Sequence, residues 1–246
     1  MTFPPDLIEA LREAQHIVAL TGAGASAESG VPTFRDAQTG LWAQFDPHEL
    51  ATPQAFRRNP KLVWDWYAWR RALVERARPN PGHYALAEME RRAPRFTLIT
   101  QNVDGLHQQA GNHNVIELHG NLRRFKCFEC NAPHAGPLAK DDSAIPTCAR
   151  CGGLLRPDVV WFGESLPVHA YQAALEAAQT CDVFFSIGTS GLVEPAASLP
   201  RLARRALATV VTINLDVETE SSPNAYSIHG KAGEVLPALV KATWGA

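Results

Sequence analysis

His16-Ile17-Val18-Ala19-Leu20-Thr21-Gly22-Ala23-Gly24-Ala25-Ser26-Ala27, running on through Glu28-Ser29-Gly30-Val31-Pro32-Thr33-Phe34-Arg35, decides the fold. Its apolar opening reads as a strand buried on both faces of a sheet. Gly22 to Ala27 then fits G-x-G-x-x-A. The two glycines permit a tight turn and let backbone N–H groups approach a pyrophosphate, and the small sixth residue lets a following helix pack close to its strand. The start of that helix adds partial positive charge for phosphates. Alone, such a fingerprint is weak, so the rest of the chain must supply its meaning.

Outward from this stretch, further short apolar runs occur at Phe96–Thr100, Val115–Leu118, Val159–Phe162, Val183–Ile187 and Thr209–Ile213. Helical stretches lie between them at Pro167–Gln179, Ala196–Ala206 and Ala232–Lys241, and a short amphipathic helix with Leu7, Ile8 and Leu11 leads in. Strands alternating with helices predict an α/β fold built on a Rossmann-like, doubly wound parallel sheet. Ligands of such sheets gather at the carboxyl ends of the strands. Two stretches break the pattern. Residues 36–83 hold no convincing strand, and Asn59–Arg78 reads as a Trp-rich helix. Residues 123–156 are rich in proline and cysteine. We expect 1–35, 84–122 and 157–246 to form one Rossmann-like nucleotide-binding domain, with 36–83 (helical) and 123–156 as insertions that together make a smaller lobe.

Composition narrows the function. The chain has 246 residues, 46% of them hydrophobic, and a formal net charge of -2, enough for one substantial core with a satellite. The near-neutral balance offers no electrostatic footprint for nucleic acid or an anionic membrane surface. No apolar run is long enough to span a bilayer. The N-terminal segment lacks the basic and apolar regions of a secretory signal, so a cytoplasmic protein is expected.

Cys127-Phe128-Glu129-Cys130 and Cys148-Ala149-Arg150-Cys151 form two C-x-x-C knuckles separated by 17 residues. That is the spacing of a four-cysteine zinc ribbon, and four thiolates leave no open position for water. One structural zinc is therefore expected on Cys127, Cys130, Cys148 and Cys151. A redox-active pair is the alternative, but neither knuckle precedes a helix as such pairs do. Cys181 heads a strand and reads as a buried apolar residue.

A dehydrogenase of the same fold would carry an acidic residue about 20 positions beyond the glycine loop, at the end of a second strand. Asp46 has that spacing but lies in loop-like sequence. Asn214-Leu215-Asp216, at the end of the Thr209–Ile213 run, is the better ribose anchor. Thr100-Gln101-Asn102-Val103-Asp104 and Glu117-Leu118-His119-Gly120 end adjacent runs, so their polar residues converge on one cleft. His119 there suits a general base.

The glycine loop through Pro32-Thr33-Phe34-Arg35, then Gln101-Asn102-Val103-Asp104, Leu118-His119-Gly120, the two knuckles, Val159-Val160-Trp161-Phe162-Gly163-Glu164 and Gly188-Thr189-Ser190 closely resemble the sirtuins, NAD-dependent protein-lysine deacylases. The resemblance keeps the same order from about residue 14 to 242. It implies that NAD is consumed as a co-substrate, with Gly22, Ala23, Gly24 and Glu28 near its phosphates. Thr33, Phe34 and Arg35 would belong to a loop closing over the nicotinamide ribose. Gln101, Asn102 and Asp104 would hold the nicotinamide end. Gly188, Thr189 and Ser190 would take phosphate and ribose, with Asn214, Leu215, Asp216 and Ala232 around the adenosine. His119 and Asn102 would be catalytic. Val160, Phe162, Gly163 and Glu164, facing Leu192 and Val193, would clamp the acyl-lysine peptide as an added strand. Asp36 and Glu194 depart from the family's usual residues.

Trp64-Asp65-Trp66-Tyr67-Ala68-Trp69-Arg70-Arg71 refines the substrate. Tyr67 and Arg70 are three apart on the expected helix and share a face. A phenol and a guanidinium aimed together make a carboxylate receptor. This Tyr-x-x-Arg resembles the acyl-pocket motif of class III sirtuins, which remove succinyl, malonyl and glutaryl groups. The expected activity is removal of succinyl or malonyl, and more weakly acetyl, from lysine of proteins, giving nicotinamide and O-acyl-ADP-ribose. A plain deacetylase, a mono-ADP-ribosyltransferase and a nucleotide-binding module are the alternatives. The protein is expected to act as a monomer.

Overall fold

The structure, a computed structural model, describes residues 1–32, 46, 50–136, 144–217 and 224–245. Helix α1 (Pro5–Glu13) leads into strand β1 (His16–Thr21) and a single helical turn, α2 (Gly24–Ala27). Helices α3 (Pro53–Arg58), α4 (Pro60–Arg76) and α5 (Pro81–Arg92) precede β2 (Arg95–Thr100), and α6 (Leu106–Ala110) links it to β3 (Val115–Glu117). Strands β4 (Gly120–Cys127) and β5 (Leu155–Val159) follow, then α7 (Val168–Thr180), β6 (Val183–Ile187) and α8 (Leu199–Arg205). The described chain closes with β7 (Thr209–Asn214), β8 (Ala225–His229) and α9 (Ala232–Trp244).

Six strands form one parallel sheet in the order β3-β2-β1-β6-β7-β8. The chain winds outward from β1 to β3, returns to place β6 beside β1, and winds the other way. The crevice where the winding reverses lies between the carboxyl ends of β1 and β6, where open α/β sheets bind ligands. Every residue of β1 and of β6 is buried, which explains their continuous apolar sequences. Phe184 and Phe185 point to opposite faces, as a period of two requires. Phe185 joins Leu7, Leu86, Leu98 and Leu236 on the face covered by α1, α5 and α9. Phe184 joins Val18, Ala177, Leu199 and Ala203 under α7 and α8.

A separate apolar cluster lies outside the sheet. Phe56, Val63, Trp66 and Tyr67 from α3 and α4 pack with Leu122, Val159 and Trp161. Beside it Trp64 packs with Cys127, Cys148 and Leu155. Asn59 caps α4 by accepting the Leu62 N–H at 3.1 Å, with Pro60 at the first helical position.

Three readings of the sequence change. Val159–Phe162 is not a strand of the parallel sheet: Val159 ends β5, which pairs antiparallel with β4. Val159 and Trp161 are buried against the helical cluster instead, which a sequence pattern cannot distinguish from burial in the sheet. Strand β4 went unread because Arg123, Arg124 and Lys126 interrupt its apolar pattern. The helix after the glycine loop is one turn long, so its macrodipole is small and the phosphate argument falls back on individual N–H groups.

Candidate functional site

The crevice is built by glycines in contact. A Cβ on Gly22 would lie 2.8 Å from the Gly188 carbonyl oxygen, and one on Gly188, whose φ is +58°, would lie 2.5 Å from the Ala25 nitrogen. No side chain fits there, so the loops after β1 and β6 touch backbone to backbone. Gly22 donates to Ile187 O, Gly24 to Gly188 O, Ala25 to Gly22 O and Ser26 to Ala23 O. The amides of the motif are thus largely spent within the protein, and the cradle is narrower than its sequence suggests. Glu28 turns away to cap α9, its carboxylate accepting the Gly233 N–H at 2.8 Å beside buried Ala232. Thr33, Phe34, Arg35 and Asp36 lie outside the described residues.

On the β2 side, Thr21 donates to Thr100 at 2.9 Å, and the Thr100 hydroxyl accepts the Asn102 N–H at 3.0 Å. The Asn102 amide donates to Gly22 O at 2.9 Å and to Ser26 Oγ at 3.1 Å, which holds it against the glycine loop. Asp104 is 3% exposed and accepts the Leu106 N–H at 2.9 Å. Burial raises its pKa, outweighing hydrogen bonds from Leu106 and Ser26. On the β6 side, Thr189 meets Ser186 at 2.9 Å, and Asn214 at the end of β7 donates to Thr189 O at 2.8 Å. Ser190 accepts the Leu192 N–H, while Leu215 and Asp216 are exposed past the end of β7.

His119 Nδ1 lies 3.0 Å from the Gln101 carbonyl oxygen. A carbonyl only accepts, so Nδ1 carries the proton and the neutral ring keeps its lone pair on Nε2. Desolvation lowers the His119 pKa from 6.5, against the opposing effect of the Gln101 bond. Gly120 has φ +79°, and a Cβ there would lie 2.1 Å from Asp158 O, so the residue after His119 must be glycine.

From His119 the contacts run on to the expected substrate side. Val160 donates to His119 O and Phe162 to Ala51 O, each at 2.9 Å. Trp161, between them, is buried and stacks on Tyr67 with ring centroids 6.1 Å apart. Tyr67 is 3% exposed, and burial lifts its phenol to about 12, so it stays a proton donor throughout the physiological range. Arg70 follows one turn later, half-buried, with its guanidinium 5.0 Å from the Trp66 ring centre. Desolvation lowers its pKa, partly offset by Tyr67. The exposed side chains Phe162, Leu192 and Val193 are those expected to clamp a peptide, and Gly163 is exposed beside Phe162. The Glu164 carboxylate, in contrast, turns inward to Arg156. Glu194 accepts from Ser198 at 2.7 Å.

The four cysteines converge as their spacing predicts, with all sulfur atoms within 4.8 Å of one another. A tetrahedron of bonds near ~2.3 Å has sulfur–sulfur edges of about 3.8 Å, and the Cys130–Cys148 separation is 3.8 Å. The Cys130 and Arg150 N–H groups point at Cys127 and Cys148 sulfurs at 3.5 and 3.4 Å. This donor set fits one structural zinc ion.

Sequence reasoning missed three buried groups. His83 accepts the Asn80 N–H on Nδ1 at 3.2 Å, which leaves Nε2–H facing Ser26 Oγ at 3.4 Å. His107 meets the Thr21 hydroxyl at 2.9 Å and lies 4.7 Å from the His83 ring. Asn80 followed by Pro81 signals a helix start, but nothing local marks His83 or His107 as a support for the glycine loop. Arg156 is the third, and a lone arginine in a strand carries no sequence signal for burial.

Residues 22–195 match the Sir2 family. The chain is 51% identical to a protein of Methylococcus capsulatus described as an NAD-dependent protein deacylase, with 98% of each chain covered. It is 52% identical to NAD-dependent protein deacylase 2 of Pyrobaculum aerophilum, over 96% of this chain and 94% of that one. The crystal structure of a Sir2 homologue bound to NAD aligns with a TM-score of 0.90 and 48% identity, covering 98% of this chain and 94% of that one. A Sir2 protein with a deacetylated p53 peptide and 3′-O-acetyl-ADP-ribose aligns with a TM-score of 0.82 and 31% identity, with 98% of each chain covered.

Proposed function

The chain belongs to the Sir2 family and has that family's NAD-dependent protein deacylase activity; on that premise we propose that it removes succinyl and malonyl groups from lysine fastest, and acetyl more slowly. The observation that carries this reading is the pairing of buried Tyr67 with Arg70 one turn on, beside Trp161 of the peptide-side segment. A buried phenol that keeps its proton and a partly desolvated guanidinium both donate, and a carboxylate is the ligand that accepts from both. Charge-assisted hydrogen bonds of roughly 1.5–3 kcal/mol each favour an acyl chain ending in a carboxylate by about tenfold to a few hundredfold. Acetyl forgoes these bonds but keeps the rest of the site, so deacetylation is slower and persists.

In this reading NAD lies across the β1/β6 crevice, with its pyrophosphate at Ala23 and Gly24 and at Gly188, Thr189 and Ser190. Thr33, Phe34 and Arg35 close over it, Asn214, Leu215, Asp216 and Ala232 border the adenosine, and Glu28 supports the loop. Asn102 and Asp104, with Gln101, hold nicotinamide. The acyl oxygen attacks the anomeric carbon as the bond to nicotinamide breaks. Nε2 of His119 then takes a ribose hydroxyl proton, and that oxygen attacks the imidate. Water completes the exchange, giving free lysine and O-acyl-ADP-ribose with no net redox change. Val160, Phe162, Gly163, Leu192 and Val193 hold the peptide. We assign residues 1–35, 84–122 and 157–246 to the NAD-binding unit and 36–83 with 123–156 to the lobe that carries acyl selectivity and zinc. Cysteines gathered for a metal rather than disulfides support a reducing, cytoplasmic setting.

Mass spectrometry of a succinyl-lysine peptide incubated with protein and NAD tests the reading. The peptide should lose the succinyl mass while nicotinamide and O-succinyl-ADP-ribose appear. A peptide that gains ADP-ribose instead would make the protein a transferase. Arg70→Met should cut desuccinylation far more than deacetylation, and equal losses would count against the acyl assignment.

A further inference from the structure

Arg156 is the most deeply buried cation among the described residues, with its side chain 2% exposed, and it lies under the segment expected to hold the peptide. One guanidinium nitrogen meets Glu164 Oε1 at 2.5 Å; the other meets Glu164 Oε2 at 2.9 Å and the Val159 carbonyl at 2.7 Å. Its carbon sits 3.3 Å from the centre of the Trp161 ring. Glu164 in turn accepts the Trp161 N–H at 2.8 Å. Burial works to raise the Glu164 pKa, but Arg156 and the Trp161 N–H outweigh it, so the carboxylate stays charged.

The pair therefore joins the end of β5 to Glu164 and closes residues 159–164 into one bend. The N–H groups of Val160, Trp161, Phe162 and Glu164 are all bonded inside the protein. The bend is shaped before any peptide arrives, which lowers the ordering cost of binding. A buried ion pair stabilises a fold little better than apolar residues of equal volume; geometric specification is its better-attested use. Trp161 extends the effect, because the ring under Arg156 is also the ring stacked on Tyr67.

We propose that Arg156 and Glu164 are positioning residues for the acyl-peptide: they fix the 160–164 bend and, through Trp161, the Tyr67 ring, without touching substrate. The proposal rests on the reading that this bend holds the peptide.

Steady-state kinetics with a succinyl-lysine peptide, paired with calorimetric NAD binding, tests both. Glu164→Gln keeps shape but loses the charge-assisted pair. It should raise the peptide KM by about tenfold, with kcat within about twofold and NAD Kd unchanged. Phe162→Ala, on the exposed side of the bend, is measured in parallel. If Phe162→Ala raises the peptide KM and Glu164→Gln does not, the positioning role is overturned while the peptide reading stands. If neither variant moves it, the peptide reading fails and takes the proposal with it. If Glu164→Gln weakens NAD binding as much as peptide binding, the pair only supports the fold and the proposal is overturned. Should Glu164→Gln prove insoluble, Arg156→Lys, which keeps charge but loses the planar fork, must give the same split.

Discussion

At the scale of single residues, hydrogen-bond donors and acceptors fix the chemistry. Nδ1–H of His119 is committed to the Gln101 carbonyl, so Nε2 is the basic atom, and burial holds its pKa below 6.5. The acid limb of kcat/KM against pH, which reports the free enzyme, should therefore have its midpoint below 6.5. A midpoint at or above that value would contradict the burial seen here. Tyr67→Phe should lower kcat/KM for succinyl-lysine by roughly tenfold and leave acetyl-lysine within about twofold, since one donor is lost and ring packing is kept. These residues were legible in sequence because each follows a recognisable strand end or helix face. Arg156, His83 and His107 were not: the side-chain partners of the two histidines lie 24 to 86 positions away, and Arg156 meets Glu164 across a bend that no local pattern records.

At the scale of elements, the continuous apolar strands could be read directly, but segments whose burial depends on another part of the chain could not. Trp161 and Val159 looked like sheet residues and are the floor of the helical cluster instead. Strand β8 was missed, with Tyr226 donating to Asp6 at 2.7 Å rather than joining an apolar run. The zinc knuckles were the clearest element in sequence, since ligand spacing is a local property. Trp64 packs on Cys127 and Cys148, so verified zinc removal should red-shift tryptophan emission and lower the melting temperature. An unchanged melting profile after zinc loss would contradict a structural ion. Helix α5 begins with a capping box in which Asn80 accepts the Gly82 and His83 N–H groups, and its amide donates to Ala25 O at 2.8 Å. Asn80→Ala should cost about 1–2 kcal/mol by urea denaturation. A loss below about 0.5 kcal/mol would mean that the cap and its tie to the glycine loop contribute little.

At the scale of the whole molecule, the strand order puts the residues that follow β1, β2, β6 and β7 at one end of the sheet, and the buried histidines behind the glycine loop contribute to the pH response. Desolvation lowers His83 from 6.5 to about 4, and His107 falls well below 6.5 through burial and the neighbouring His83. An unfolded chain takes up these protons below about 6.5 and the native protein does not. Stability present above that pH is therefore lost as pH falls toward the native values, on the order of 3 kcal/mol from His83 alone. Urea unfolding should give a free energy lower by roughly 2 kcal/mol or more at pH 5 than at pH 7. A flat curve would show these imidazoles to be solvated in the native state. Acyl selectivity is more local: this NAD-dependent deacylase is proposed to read a carboxylate on the acyl chain through Tyr67 and Arg70. Its most direct test is kcat/KM for succinyl-lysine and acetyl-lysine versions of one peptide at saturating NAD. A ratio of about tenfold or more in favour of succinyl is predicted, and a ratio of one or below would contradict it.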